Sequence, residues 1–290
     1  MTMANRIFIL LGLLLGLGCQ RSIDLPVSAE PQLGVTCFLS PDDEFIEVSV
    51  FRSQAVGESG GVAPSDFVLP DASVQVQNLT ESSALSIPFD PDSQRYRLPV
   101  PTGFLLAEAN YRLTVTHPSY PTATATCVIP PAPMSLNLRI DSTFQGGRSL
   151  FFVQPSWAAS TPGPAYFRLI GEIKGNLGAN FFFGWEGQSE DPDYIVQTEN
   201  FAGTISGPVG NLQAFFDPSF GFPGDRVPGD SVRVSLLHIS ESYYEFNLSL
   251  RKARNQDPLL SEPYTLYSNF EGAQGVLAAF HGTTQTLRVK

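Results

Sequence analysis

In Ser73-Val74-Gln75-Val76-Gln77-Asn78-Leu79, polar and apolar side chains alternate from Ser73 to Gln77. A period of two is the spacing of a strand with one face on a core and the other in water. Working outward, the same pattern returns in Tyr96-Arg97-Leu98-Pro99-Val100 and in Tyr111-Arg112-Leu113-Thr114-Val115-Thr116. Leu33–Leu39, Phe45–Arg52 and Thr122–Ile129 are further strand-like runs, rich in Val, Thr and Phe. Ser40-Pro41-Asp42-Asp43 and Asp90-Pro91-Asp92 supply turn residues between them. No segment of helical period interrupts the series, so residues 33–130 predict an antiparallel β-sandwich.

Ile129-Pro130-Pro131-Ala132-Pro133 is a stiff, extended linker, and a second domain is expected over 131–290. That half is also mainly β. Strands are expected at Leu136–Ile140, Leu150–Val153, Tyr166–Ile173, Phe181–Trp185, Leu212–Phe216 and Ser231–Ile239, with a last pair at Tyr264–Tyr267 and Gly275–Phe280. One helix is expected, Glu241–Gln256. Ser242 and Glu245 read as its capping box, Tyr243, Phe246 and Leu250 share a face, and Arg251, Lys252 and Arg254 suit the negative end of its dipole.

The N-terminus carries an address. Arg6 is followed by Ile7–Gly18, an apolar run too short to span a bilayer but of the length of a signal-peptide core. Gly12, Gly16 and Gly18 argue against a buried core helix. The run ends Gly16-Leu17-Gly18-Cys19, which resembles the lipobox of bacterial lipoproteins, with Gly16 where Leu is usual. Residues 1–18 are therefore expected to be a signal peptide, Cys19 the lipid attachment site, and 19–32 a tether.

With Cys19 assigned to lipid, Cys37 and Cys127 remain as an even pair in an oxidising compartment. Each lies in a strand-like run, and the first and last strands of a sandwich are often neighbours. A disulfide is expected between them, contributing on the order of 4 kcal/mol in the chain-entropy model; two separate buried thiols are the alternative. The 290 residues carry a formal charge of −11, which disfavours nucleic acid and broad docking on anionic lipid. The 25 Gly and 24 Pro suit strands joined by turns.

Several pieces together resemble a lipoprotein family of Bacteroidota, domain of unknown function 4249. They are the tether Cys19–Pro26, the stretch Tyr111–Pro121 ending in a proline- and tyrosine-containing corner, and Ile239–Phe246 leading the helix. The most specific is Glu262-Pro263-Tyr264-Thr265-Leu266-Tyr267-Ser268-Asn269-Phe270-Glu271-Gly272-Ala273-Gln274-Gly275, which looks like the family's Glu-Pro, Tyr-Ser-Asn and paired-glycine signature. Ala273-Gln274 departs from it, and the two cysteines are not part of it. The resemblance implies an immunoglobulin-like or transthyretin-like sandwich followed by a β-rich domain. It also implies an outer-membrane lipoprotein associated with TonB-dependent receptors, with no established catalytic activity.

The chain offers little for catalysis. Gly57-Glu58-Ser59-Gly60-Gly61 matches G-x-S-x-G, but a hydrolase elbow needs a helix after it, and Val62–Asp66 reads as loop. His117, His238 and His281 have no partners at metal-ligand spacing. The acidic turns at Asp42–Glu44, Asp90–Asp92 and Glu190–Asp193 lack an EF-hand pattern, and no phosphate loop is present. A non-enzymatic protein without metal or cofactor is expected. Phe181-Phe182-Phe183-Gly184-Trp185 puts aromatic side chains on both faces of a strand. It is either a two-sided core or, through Phe182 and Trp185, a docking face for a membrane barrel. The leading function is an accessory subunit of a TonB-dependent receptor system. The alternative is an adhesin or glycan-binding lipoprotein using Trp157, Trp185 or Tyr194 as a sugar platform. Gln20-Arg21-Ser22-Ile23-Asp24 has one acid beside an arginine, which leaves both faces of the outer membrane open.

Overall fold

A computed structural model describes residues 31–53, 64–145, 148–158, 166–174, 180–188, 196–198, 201–203, 214–216, 231–254 and 265–288. The chain is mainly β. In order the strands are β1 (Leu33–Leu39), β2 (Phe45–Arg52), β3 (Ser73–Asn78), β4 (Ser83–Ile87), β5 (Phe89–Asp90), β6 (Arg95–Pro99), β7 (Asn110–His117) and β8 (Tyr120–Val128). They continue as β9 (Met134–Gln145), β10 (Arg148–Ala158), β11 (Tyr166–Lys174), β12 (Asn180–Gln188), β13 (Val196–Thr198), β14 (Phe201–Gly203), β15 (Ala214–Phe216), β16 (Ser231–Ile239) and β17 (Gln274–Arg288). The one α-helix among the described residues is α1 (Glu241–Arg254), and Pro64–Phe67 forms a 3₁₀ turn.

β3 shows how alternation becomes packing. Val74, Val76 and Asn78 point inward and are buried, while Ser73 and Gln75 face solvent. β3 pairs with β4 and β7 in a four-stranded antiparallel sheet of order β4-β3-β7-β8. Tyr111, Leu113 and Val115 of β7 add to the same inner face. Opposite them stand Leu33, Val35, Cys37 and Leu39 of β1 and Ile46, Val48 and Val50 of β2, which join one continuous core with the four-stranded sheet. Each Leu or Val buried there stabilises the fold by roughly 1.5–3 kcal/mol before entropy is counted.

β1 and β2 belong to an eight-stranded sheet of order β12-β11-β16-β17-β1-β2-β6-β5. Strands from both sides of Pro130–Pro133 are therefore hydrogen-bonded into one sheet. β17 pairs parallel with β1 and antiparallel with β16, so the last strand lies in the sheet interior. Its run Val276-Leu277-Ala278-Ala279 is buried throughout. Leu277 and Ala279 face the core shared with the four-stranded sheet, while Val276 and Ala278 face α1. A strand covered on both faces has no polar side to display, and this explains its unbroken apolar sequence.

Two differences from the sequence reading stand out. The strand expected at Tyr264–Tyr267 is not seen at Thr265–Tyr267, because residues 265–270 run as irregular chain and bond through side chains, as described below; Tyr264 lies outside the described residues. β1 and β8 are not sheet neighbours: β1 lies between β2 and β17, and β8 is in the other sheet. Strands of a chain this long have many possible partners, and burying both faces of β17 selects this one.

Candidate functional site

The Tyr-Ser-Asn segment lies beside β17. From Gln274 to Ala279 that strand has β1 on one side, but β16 pairs with it only from Phe280 onward. The other edge of the buried stretch therefore needs hydrogen-bond partners that no strand among the described residues supplies. Side chains supply them. The Gly275 N–H donates to Ser268 Oγ (3.1 Å), and the Asn269 N–H donates to the Gly275 carbonyl (3.3 Å). The Asn269 side-chain amide pairs with Leu277 as a strand would. Its Oδ1 accepts from the Leu277 N–H (2.9 Å), and its Nδ2 donates to the Leu277 carbonyl (2.8 Å). Two residues on, Ala279 donates to Ser240 Oγ (3.0 Å) and accepts from the Ser240 N–H (2.8 Å).

Ser240 also caps α1. Its Oγ accepts from the Tyr243 N–H (3.3 Å), and its carbonyl accepts from the Tyr244 N–H (3.1 Å). This corrects the sequence reading, in which Ser242 was the cap. The Ser242 hydroxyl instead donates to the Leu277 carbonyl (3.0 Å). The helix starts directly from the end of β16, so the residue at the junction takes the cap and its neighbour reaches the strand. Ser240→Ala is expected to cost about 1–2 kcal/mol, since it removes a cap and leaves the buried Ala279 N–H unpaired. A urea midpoint matching the parent's would disprove this double role.

From Phe270 the chain passes to the outer strand of the other sheet. Phe270 is buried in the shared core, and Glu271 exchanges two backbone hydrogen bonds with Thr124 of β8 (2.9 and 3.0 Å). Gly272 lies against the Thr122 carbonyl. Residues 268–275 thus cover an otherwise open sheet edge and join it to β17. Within this signature Ser268 and Asn269 direct their polar atoms at backbone groups.

The histidines serve local structure. His117 Nδ1 accepts from the Ser119 N–H (3.1 Å), which makes Nε2 the donor to Asp71 Oδ1 (3.0 Å) and fastens the corner before β8. His238 Nδ1 meets the Pro131 carbonyl (2.9 Å), and its ring stacks on Phe167 at 4.9 Å. Burial foremost, and His281 opposite it, lower its pKa, while the bond to Pro131 opposes them. His281 Nε2 lies 4.0 Å from Asp42 Oδ1. Among the described residues no group of three or more His, Cys, Asp or Glu is arranged to hold a metal ion.

Asp43, in the turn after β1, is raised from 3.8 to about 6 by burial and then by the neighbouring Asp42 and Glu47 carboxylates. The folded carboxyl holds its proton more tightly than the unfolded one. Its contribution to stability is present below pH 3.8 and is lost as pH rises through about 6. Discounted for its half-exposure, Asp43→Asn is expected to add on the order of 1 kcal/mol at pH 7 and nothing near pH 3.5. Urea midpoints across that range check it; parallel profiles for parent and variant would refute it.

Cys37 and Cys127 project into the same core from opposite sheets, 1% and 7% exposed. Both are free thiols in this structure. Burial pushes Cys127 up to about 12. Burial, then Cys127 and Asp43, push Cys37 well above its ordinary value. Both thiols are thus held protonated and unreactive.

β12 stands at one end of the eight-stranded sheet, its register placing Phe182 opposite Glu172 and Trp185 opposite Leu169 of β11. Trp157 lies in β10. Cys19, the G-x-S-x-G segment, the acidic turn Glu190–Asp193 and Tyr194 lie outside the described residues.

Comparison with known proteins agrees with the signature. No curated protein matches the sequence. Among solved structures, a DUF4785 family protein from Legionella pneumophila aligns over 70% of this chain at 10% identity and a TM-score of 0.23. The alignment spans about half of that protein, 52% of its length. The domain of unknown function DUF4249 matches residues 20–286, nearly the whole chain. With the Ser268–Gly275 geometry in place beside that match, the chain belongs to the DUF4249 family.

Proposed function

We propose that this protein is a non-enzymatic lipoprotein of a bacterial outer membrane, acting as a binding subunit beside a TonB-dependent barrel. The observation that carries the reading is the apolar run Ile7–Gly18 ending at Cys19, followed by a polar, proline-containing tether. The commitment of Ser268 and Asn269 to backbone hydrogen bonds adds support, because the most distinctive polar residues are occupied in holding the fold. In this reading residues 33–130 act as an immunoglobulin-like sandwich. The Tyr111 hydroxyl supports that: it donates to the Phe104 carbonyl (2.8 Å) and accepts from the Leu106 N–H (2.7 Å), much as a tyrosine corner does. Cys37 and Cys127 form a disulfide in the oxidising envelope.

Lipid on Cys19 is tested by mass spectrometry of the N-terminal peptide from membranes. The parent should carry acyl groups, and Cys19→Ser should leave the membrane fraction; an unacylated parent overturns the reading. Partnership is tested by pull-down from native membranes with the parent and with Phe182→Ser/Trp185→Ser. A barrel protein should accompany the parent and be lost from the still-folded variant. Capture of no barrel by the parent, with selective binding on a glycan array, would favour the adhesin reading.

A further inference from the structure

We infer that the bridge between Cys37 and Cys127 spans the two sheets and closes only while the core is still open, so that oxidation precedes final folding. This rests on the reading that the chain reaches an oxidising compartment.

Both side chains enter one core from facing sheets, Cys37 beside Val35 and Leu39, Cys127 beside Ala125 and Ile129. β1 and β8 approach within 8 Å between Cα atoms. Packed sheets ordinarily stand about 10 Å apart, and a disulfide accepts Cα separations up to about 6.8 Å, so closing the bridge draws the two strands together where the cysteines lie. Cys127 adds, after burial, to the raised pKa of Cys37.

The reaction is thiol–disulfide exchange with an external disulfide, either a small one such as oxidised glutathione or that of an oxidoreductase. One cysteine thiolate attacks it, forms a mixed disulfide and releases one thiol. The second thiolate then displaces the remaining half. Two cysteine S–H bonds and one external S–S bond are lost; one Cys–S–S–Cys bond and two external S–H bonds are gained, with two electrons passing to the oxidant. Each step needs a thiolate that an oxidant can reach. In the closed core neither sulfur is accessible, and burial keeps both protonated.

The full chain carrying Cys19→Ser, which removes the third thiol, is the material for the test. One sample is refolded from urea with oxidised glutathione present. The other is refolded reduced and given the same oxidant afterwards. Digestion without reductant and mass spectrometry follow the linked Cys37–Cys127 peptide with time. It should form in the first sample and at least about tenfold more slowly in the second. A reduced chain that stays unfolded until oxidised supports the same order of events. Absence of the linked peptide in the first sample, or equal rates in both, overturns the proposal. The assay does not depend on lipid, so an unacylated Cys19 would overturn the membrane reading without touching this result.

Discussion

Gly275→Ala is expected to remove a large part of the protein's stability. Gly275 sits at φ +131° in β17, directly beside Val35 of β1 in the parallel pairing. A Cβ at that position would overlap the Val35 carbonyl oxygen, an atom of the backbone with no rotamer to escape through. Alanine therefore meets two penalties together: a backbone region that L residues rarely enter, and a collision relieved only by parting β17 from β1. That separation would open the core on both faces, since Leu277 and Ala279 bury on one and Val276 and Ala278 on the other. A loss of about 4 kcal/mol or more is expected, against a total stability of about 5–15 kcal/mol for a typical domain. Gly103→Ala is the matched control. Gly103 also has positive φ, +77°, but nothing lies within 4 Å of its added Cβ. It should cost only about 1–2 kcal/mol, the backbone penalty alone. Circular dichroism through a urea titration compares them, and similar small losses at both sites would show that the β1–β17 contact does not hold the fold.

Asn269→Ala is the second large effect. It removes both side-chain hydrogen bonds to Leu277, whose backbone is buried where no strand can replace them. The Leu277 carbonyl keeps the Ser242 hydroxyl, but its N–H is left without a partner. A cost of about 2–4 kcal/mol is expected from one orphaned donor and two lost bonds. Asn269→Asp separates pairing from packing. An ionised carboxylate still accepts from the Leu277 N–H but sets a negative oxygen against the Leu277 carbonyl, whereas the protonated acid restores a donor there. Its folded pKa is raised, so the lost stability should return as pH falls below about 4. An Asp variant with the parent's pH profile would rule out the strand-like pairing.

Both variants fall within the signature segment, which was recognisable as a string of residues before its purpose was. Tyr264–Tyr267 reads as a strand because Tyr, Thr and Leu favour one. What decides otherwise is that Ser268 and Asn269 satisfy β17 with side chains, and this depends on an unpaired strand edge that the local sequence does not reveal. The helix was legible from its spacing of apolar residues, and its span of Glu241–Arg254 falls inside the expected one. Its capping residue was not: the Ser242–Glu245 spacing favours Ser242, and only the end of β16 puts Ser240 at the cap. β4 went unread in the serine-rich stretch Ser82-Ser83-Ala84-Leu85-Ser86, as it is half-exposed and has little apolar pattern to display.

The sequence by itself determined the mainly β character, the spans of β1, β2 and β16, and the position of the helix. These depend on periodicity, a property of neighbouring residues. Only the tertiary structure decided that β17 lies between β1 and β16, that Cys37 and Cys127 enter one core from different sheets, and that Asn269 stands in for a strand. Those depend on which hydrogen-bonding edge and which apolar face remain uncovered once other strands have paired. The residues that cover them lie far away along the chain: Val35 meets Gly275, and Thr124 meets Glu271.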